Sequence, residues 1–155
     1  MASGKTTIGK QLSSKLNIPF YDTDHLIETT YEMSIPTIFD TYGENQFRLM
    51  ESDILKKLPL KEAVIATGGG IVLKNENINY LKRCTVIWLD VPFEIIMKRL
   101  AQDQSRPLWK GQSVERKELY EKRRTHYEHI ADIHLKLKDE HVDDIVEKIV
   151  TYLNL

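Results

Sequence analysis

The fold of this chain is decided by its opening stretch, Met1-Ala2-Ser3-Gly4-Lys5-Thr6-Thr7. Its Gly-Lys-Thr is the last part of a phosphate-binding loop, G-x-x-x-x-G-K-S/T, whose first glycine would lie ahead of Met1. In such a loop backbone N–H groups point at phosphate oxygens, the lysine reaches the β- and γ-phosphates, and the next hydroxyl binds Mg²⁺. Lys5 and Thr6 are the candidates for these roles, although three residues alone also fit a flexible tail before a helix.

Length and composition indicate one globular domain over residues 1–155. The chain has 155 residues and is 41% hydrophobic, which is enough for a substantial core. Its formal net charge of −1 gives no basic field for nucleic acid, so a bound anion must be held by placed arginines and loop N–H groups. No apolar run is long enough to span a membrane, and the N-terminus lacks the order of a signal peptide. We therefore expect a cytoplasmic protein that binds neither nucleic acid nor membranes.

Short apolar runs alternate with amphipathic segments, which is typical of an α/β fold with a parallel sheet covered by helices. Strands are predicted at Ile18 to Tyr21, Ala63 to Ala66, Thr85 to Leu89 and Ile133 to Leu137. Helices are predicted at Thr7 to Leu16, Thr23 to Glu32, Ile35 to Leu58, Asn75 to Lys82, Pro92 to Ala101, Ser113 to Ile130 and Val142 to Leu153. The segment from Gln102 to Gln112 is rich in helix breakers, so we expect a mobile surface loop there.

Two carboxylates follow the first predicted strand, in Asp22-Thr23-Asp24. Ligands of open α/β folds collect at the C-terminal ends of the strands, so these side chains are candidates for a site. One carboxylate could orient Mg²⁺ through water while the other faces a substrate hydroxyl. Asp and Thr are also good helix caps, and the alternative is that one of the two carboxylates, with Thr23, caps the next helix.

Three consecutive glycines, Gly68, Gly69 and Gly70, follow the second predicted strand. Glycine destabilises regular structure by roughly 0.5–1 kcal/mol relative to alanine, so a run of three indicates positive φ or bare backbone beside a ligand. Their N–H groups are predicted to bind a carboxylate or the hydroxyls of a small molecule. The alternative, a plain tight turn, needs only one or two glycines.

Two arginines are candidates for holding a carboxylate. Arg48 lies in a predicted helix three residues before Glu51, and the commoner outcome for such a pair is an ion pair on a solvated surface. Together with Arg123, however, Arg48 offers a second planar guanidinium, which binds carboxylates in bidentate fashion better than lysine does. The two arginines therefore predict a site for a small anionic ligand.

The order and spacing of these segments resemble the shikimate kinase family of P-loop small-molecule kinases. The matching stretches are Gly4-Lys5-Thr6-Thr7, Phe20-Tyr21-Asp22-Thr23-Asp24, Ser34-Ile35-Pro36-Thr37-Ile38-Phe39, Gly43-Glu44, Phe47-Arg48-Leu49-Met50-Glu51, Ala66-Thr67-Gly68-Gly69-Gly70, Leu89-Asp90-Val91-Pro92, Ser105-Arg106-Pro107-Leu108 and Arg123 to Asp132. The resemblance implies transfer of the ATP γ-phosphoryl group to the 3-hydroxyl of shikimate in aromatic amino-acid biosynthesis, and we expect a monomer. It also implies a three-layer α/β P-loop kinase fold of the nucleoside monophosphate kinase type, with a parallel sheet in the order 2-3-1-4-5.

The resemblance further implies roles for particular residues. Asp24 would orient the shikimate hydroxyls and help to deprotonate the attacking one, while Arg48 and Arg123 would clamp the carboxylate. Asp22 would hold Mg²⁺ through water, beside the direct ligand Thr6. The other implied sites are Gly68, Gly69 and Gly70 for the substrate, Gly4, Lys5, Thr6 and Thr7 for ATP, Arg99 stacked on adenine, and Arg106 in a lid at about residues 102–112. Lys5, Arg106 and Mg²⁺ would supply the positive charge that phosphoryl transfer needs.

One part of the family pattern would precede Met1. The family's first strand, which is central in its sheet, and the first loop glycine have no counterpart in this sequence, so we expect a longer natural protein. Without that strand its two neighbouring strands would face each other across about 9–10 Å, which is two strand spacings.

Two other functions stay open: a gluconate kinase of similar architecture, and a shikimate or nucleotide binder without catalysis. A gluconate kinase would not explain the combination of Asp22-Thr23-Asp24, Arg48 and the three glycines.

Overall fold

The computed structural model describes residues 2–101, 113–138 and 140–154. The helices in these ranges are α1 (Lys5–Leu16), α2 (Thr23–Tyr31), α3 (Ile35–Lys57), α4 (Asn75–Leu81), α5 (Phe93–Leu100), α6 (Ser113–Ile130) and α7 (Val142–Tyr152). The strands are β1 (Phe20–Asp22), β2 (Val64–Ala66), β3 (Ile87–Asp90) and β4 (Ile133–Lys136). The predicted α/β order is confirmed, with element ends within about two residues of the expected ones. A short 3-10 helix at Ile71–Leu73 is not predicted by the sequence pattern.

The described strands form two separate parallel pairs. β1 pairs with β2 over residues 20–22 and 64–66, and β3 pairs with β4 over residues 87–90 and 133–136. Parallel strands need a crossover connection, and helices supply it within each pair. Within a pair, the residues that follow the two strands therefore lie at the same edge.

A gap separates the two pairs, because β2 and β3 do not hydrogen-bond to each other in the described part of the chain. A cavity of about 980 Å³ lies there and is lined by both of these strands. In the described residues β2 and β3 therefore border this cavity and do not pair with each other.

Helix α1 connects the two strand pairs. Its buried Ile8 and Leu12 share a core with residues of β4 and α7. The helix also contacts β1 and β2, and Gly9 permits a close approach to Phe20, since a Cβ atom at position 9 would lie 2.6 Å from that ring. The phosphate loop at the start of α1 is thus tied to both halves of the divided sheet.

Helices α2 and α3 form a separate apolar layer beside β1. The buried residues of this layer are Ile27, Ile38, Phe47, Met50 and Ile54. Helix α3 begins at Ser34, whose hydroxyl accepts a hydrogen bond of 3.3 Å from the Thr37 N–H. The prediction of a continuous helix was wrong at Gly43, where φ is 78° and ψ is 173°, a conformation open almost only to glycine. The kink there divides α3 and starts its second part just before Arg48.

Candidate functional site

The first part of the site is the loop that leads into α1. Gly4 caps the helix with φ 85° and ψ 14°, a left-handed conformation that glycine adopts without strain. The N-terminal N–H groups of α1 therefore point into the loop, where they favour an anion. The Thr6 hydroxyl donates a hydrogen bond of 2.7 Å to Oδ2 of Asp22. A hydroxyl and a carboxylate beside a phosphate loop are hard oxygen ligands of the kind that Mg²⁺ prefers.

The two carboxylate oxygens of Asp22 have different contacts: one caps a helix and the other faces the phosphate loop. Its Oδ1 caps α2 by accepting hydrogen bonds from the N–H groups of Asp24 at 3.0 Å and His25 at 3.3 Å. Its Oδ2 faces Thr6 and is the oxygen available to a magnesium site. Thr23 is not the capping side chain, since its hydroxyl accepts a hydrogen bond of 3.1 Å from the Gly68 N–H.

The fit to magnesium depends on oxygen donors from two elements rather than on a dense acidic cluster. In the described ranges no group of three or more His, Cys, Asp and Glu residues could hold a metal ion. Thr6 and Asp22 supply one hydroxyl and one carboxylate, and phosphate oxygens and water commonly complete the coordination of Mg²⁺. The residues present therefore fit a magnesium ion that arrives with a phosphate ligand.

Arg48 lies at the centre of a buried ionic cluster in α3. Its Nη2 is 3.0 Å and its Nε 3.3 Å from Oε1 of Glu44, and its Nη1 donates to Oε2 of Glu51. Only 6% of Arg48 and 1% of Glu51 are exposed, so the expected ion pair exists but not on a solvated surface. Burial acts to lower the pKa of Arg48, but the charges and hydrogen bonds of Glu51 and Glu44 outweigh it and raise that pKa. Arg48 is therefore charged and fixed in place.

Gly68 and Gly70 allow charged groups to approach their backbone closely. A Cβ atom at Gly68 would lie 2.6 Å from Oε1 of Glu51 and 2.9 Å from Oδ1 of Asp24. A Cβ atom at Gly70 would lie 2.5 Å from Cζ of Arg48. Real Cβ atoms essentially never make contacts this short, so the close approach explains these glycines better than a plain turn does.

The glycine segment does not offer all of its N–H groups to a ligand. The Gly68 N–H already donates to the Thr23 hydroxyl, which corrects the expectation that this group faces the substrate. The carbonyls of Gly68 and Gly70 accept hydrogen bonds from the 3-10 helix that follows, at 3.2 Å and 3.0 Å. The segment is therefore held by the fold, and the substrate-binding role of Gly69 and Gly70 stays a prediction.

Arg123 brings a second guanidinium to the same region from helix α6. Only 4% of the residue is exposed, and its buried Nε has no hydrogen-bond partner among the described residues. Burial lowers the pKa of Arg123, and the charge of Arg48 adds to this effect, while Tyr127 and Glu51 oppose it. A buried arginine with an unpartnered N–H requires an explanation, and an anionic ligand supplies one.

A second cavity, of about 440 Å³, lies at the N-terminal end of α1. It is lined by the five predicted nucleotide residues within the described ranges, which are Gly4, Lys5, Thr6, Thr7 and Arg99, together with residues that follow β4. The Nη1 atom of Arg99 donates a hydrogen bond of 2.9 Å to the carbonyl of Ala2. Arg99 therefore lies beside the phosphate loop.

Arg106 and the predicted lid at about residues 102–112 lie outside the described residues. The described groups fall into two regions, a phosphate loop with Arg99 and a charged cluster around the glycine segment. The 980 Å³ cavity contacts both, since Lys5, Gly68 and Arg123 all line it.

Sequence reasoning gave no role to two residues that contact this site. Glu44 binds Arg48 from one helical turn earlier, and its spacing of four residues is the signal that could have found it. The Tyr127 hydroxyl donates to the carbonyl of Gly69, 58 residues away in sequence. Its only sequence signal is that it follows Arg123 by four residues on the same helix.

Comparison of the whole sequence with known proteins identifies one family. The family model for shikimate kinase (SKI) matches residues 1–154. The shikimate kinase of Microcystis aeruginosa is 47% identical over 155 residues, which cover 97% of this chain and 81% of that relative. The shikimate kinase of Aquifex aeolicus is 42% identical over 155 residues, which cover 99% of this chain and 91% of that relative.

Solved structures show the same similarity in three dimensions. The shikimate kinase from Acinetobacter baumannii in complex with shikimate has a TM-score of 0.95 at 33% identity, covering 99% of this chain and 88% of that one. The crystal structure of shikimate kinase from Aquifex aeolicus has a TM-score of 0.87 at 41% identity, and the match covers 99% of this chain and 92% of that one. The similarity therefore extends over the whole described fold and is not confined to the phosphate loop.

Proposed function

Because the chain belongs to the shikimate kinase family, we propose specific residues of it for the family's reaction. The chain is an ATP-dependent kinase that transfers the γ-phosphoryl group to the 3-hydroxyl of shikimate, giving shikimate 3-phosphate and ADP in aromatic amino-acid biosynthesis. The single observation that supports the residue assignments is the convergence of Asp24, Arg48 and Arg123 around the glycine segment.

Arg48 and Arg123 are the carboxylate clamp. Both are buried cations, and the unpartnered Nε of Arg123 is a hydrogen-bond donor that a carboxylate can accept from. Two buried guanidinium groups in one region repel each other unless an anion lies between them. Glu44 and Glu51 already pair with Arg48, so we expect the bound carboxylate to accept its hydrogen bonds chiefly from Arg123, whose Nε has no partner among the described residues.

Asp24 is the group that orients the attacking hydroxyl. Its Oδ1 lies near Gly68, close to Oε1 of Glu51, and the charge of Asp24 acts to raise the pKa of Glu51. A carboxylate accepts a hydrogen bond from a substrate hydroxyl and can take its proton as transfer proceeds. With the carboxylate of shikimate held by the arginines, the ring presents a hydroxyl to Asp24.

The phosphoryl side of the reaction belongs to the loop at the start of α1. Lys5 carries its charge to the β- and γ-phosphates, and Gly4 and Thr7 line the cavity for the rest of the nucleotide. Thr6 would hold Mg²⁺ directly and Asp22 would hold it through water, and the bound ion would neutralise charge on the phosphate oxygens. The transition state of phosphoryl transfer is loose, so alignment and positive charge are the main contributions of the protein.

Two further arginines complete the proposed site. Arg99, in the nucleotide cavity beside the phosphate loop, would stack on adenine, and Arg106, which lies outside the described residues in the proposed lid at about residues 102–112, would bind the transferring phosphate. We expect Arg106→Ala to reduce kcat by roughly 10³–10⁵, as loss of an arginine finger does, with little change in melting temperature. A large fall in melting temperature with turnover nearly intact would contradict this role.

The decisive experiment incubates the chain with ATP, Mg²⁺ and shikimate. ADP release is followed by a coupled assay, and the 3-phosphate product is identified by mass and NMR. Gluconate in place of shikimate is the control substrate. Turnover of gluconate alone would overturn the proposal, and so would calorimetric binding of shikimate without any ADP release.

We also propose that residues 1–155 act as one domain and one copy. The small-molecule substrate is supported by a relative solved with shikimate. In the described part of the chain no helix is both long and apolar enough to cross a membrane. The monomeric state, the cytoplasmic location and the absence of nucleic-acid binding stay predictions from the sequence.

A further inference from the structure

Tyr127 connects the helix that carries Arg123 to the glycine segment. It lies on α6, one helical turn after Arg123, so both side chains project from the same face of the helix. Its hydroxyl donates a hydrogen bond to the carbonyl oxygen of Gly69. Burial raises the pKa of Tyr127, so its hydroxyl keeps the proton that it donates.

The ring of Tyr127 is held independently of this hydrogen bond. It packs against the apolar cluster of Leu55, Ile71, Val72 and Ile130. Its centroid also lies 5.9 Å from the Trp88 ring of β3, and Trp88 is stacked on His134 of β4 at 4.0 Å. The ring is therefore held between α3, the 3-10 helix that follows the glycine segment and Trp88 of β3, and these contacts fix the place of the hydroxyl.

The glycine segment has no side chains with which to fix its own position. On the β1–β2 side it is held by the Gly68 N–H, which donates to Thr23. On the other side its link to α6 is the Tyr127 hydroxyl on the Gly69 carbonyl. Gly70 lies against Arg48, so this link relates the positions of the two guanidinium groups to each other.

We propose that Tyr127 is a positioning residue for the carboxylate clamp. Its hydroxyl sets the distance between α6 and the glycine segment, and thereby the separation at which Arg123 and Arg48 meet a shikimate carboxylate. This rests on the proposed function. The carboxylate is remote from the hydroxyl that is phosphorylated, so the contribution is to binding rather than to the chemical step.

The test is Tyr127→Phe, which keeps the ring and removes the hydroxyl. We expect KM for shikimate to rise roughly 3- to 10-fold, the range that loss of one hydrogen bond supports, with kcat and KM for ATP nearly unchanged. The matched control is Tyr80→Phe, because Tyr80 packs in the same apolar cluster and its hydroxyl donates to the Leu58 carbonyl at 2.5 Å. Each variant loses one partly buried hydrogen bond, so both should lower the melting temperature to a similar extent. Tyr80→Phe should leave KM for shikimate and KM for ATP unchanged.

A second substrate separates positioning from general loosening. The methyl ester of shikimate lacks the charge that the arginines hold, so Tyr127→Phe should leave its KM close to that of the unmodified chain. A rise in KM of equal size for ester, acid and ATP would overturn the inference, and so would an unchanged KM for shikimate. If the unmodified chain turns over shikimate normally, these outcomes reject the inference alone; if it does not, the proposed function fails as well.

Discussion

Replacing Gly70 by alanine tests the carboxylate clamp most directly. A Cβ atom at this position would lie 2.5 Å from Cζ and 2.6 Å from Nη2 of Arg48, whereas ordinary van der Waals contact begins at 3.4 Å. The guanidinium must therefore move by about 1 Å, and this movement strains its bonds to Glu44 and Glu51. A misplacement of about 1 Å can reduce a rate about 10²-fold.

We expect Gly70→Ala to lower kcat/KM for shikimate about 10²-fold while KM for ATP stays within about two-fold. The melting temperature should also fall, because the displaced guanidinium is buried and paired with Glu44 and Glu51, so both constants are measured at a temperature where the variant is folded. Coupled ADP release with each substrate titrated separately measures both constants, and calorimetry measures shikimate binding directly.

A second glycine provides the control. A Cβ atom at Gly9 would lie 2.6 Å from the ring of Phe20, a comparable crowding in the packing of α1 on β1. Gly9→Ala should cost about 1–3 kcal/mol of stability as an overpacked core does, without a selective effect on shikimate. The reasoning is refuted if Gly70→Ala keeps normal kcat/KM for shikimate, or if it weakens both substrates equally.

Three other substitutions test separate features. Asp22→Asn keeps a capping oxygen for α2 but removes the negative charge beside Thr6. The Mg²⁺ concentration for half-maximal turnover should therefore rise 10- to 100-fold, while the melting temperature stays nearly constant. A lower melting temperature with an unchanged Mg²⁺ requirement would contradict the role of Asp22 as an outer ligand. Burial raises the pKa of Glu51, so its carboxyl group binds a proton more tightly in the folded chain than in the unfolded chain. The free energy of unfolding therefore includes a contribution from protonated Glu51. This contribution is complete below the ordinary glutamate pKa and is lost as pH rises through the raised pKa. Glu51→Gln should therefore flatten the decline of unfolding free energy with pH, measured by urea titration between about pH 5 and 8, and an unchanged slope would show that other groups cause it. Gly43→Ala should destabilise the chain by about 1–3 kcal/mol in the same assay through backbone strain alone, since a Cβ there meets open space; no loss would show that the kink relaxes.

The sequence predicted the elements of the fold because their signals are local. Apolar periodicity and turn residues located every described strand and α-helix but not the 3-10 helix at Ile71–Leu73, and the phosphate-loop remnant identified the start of α1. The kink in α3 was missed because a single glycine within an apolar helical pattern does not reveal its φ. Whether Gly43 is helical depends on packing between α2 and the second part of α3.

The site was predicted in composition but not in its internal contacts. The alternative considered for Arg48 and Glu51 was an ion pair on a solvated surface, and the structure has the ion pair but buries it, because residues distant in sequence cover both side chains. The Gly68 N–H was expected to face a ligand, but Thr23 uses it, and a bond across 45 residues leaves no trace in local pattern. The same holds for Tyr127 and Gly69.

Helix α1, which carries the phosphate loop, packs against several other elements of the fold. This helix packs on β1 and β2 with one side and on α7 and the β4 core with the other, while the strand pairs share no hydrogen bonds in the described residues. A nucleotide bound at the first turn of this helix is expected to stabilise these contacts. ATP analogues should therefore raise the melting temperature of the chain in proportion to their binding.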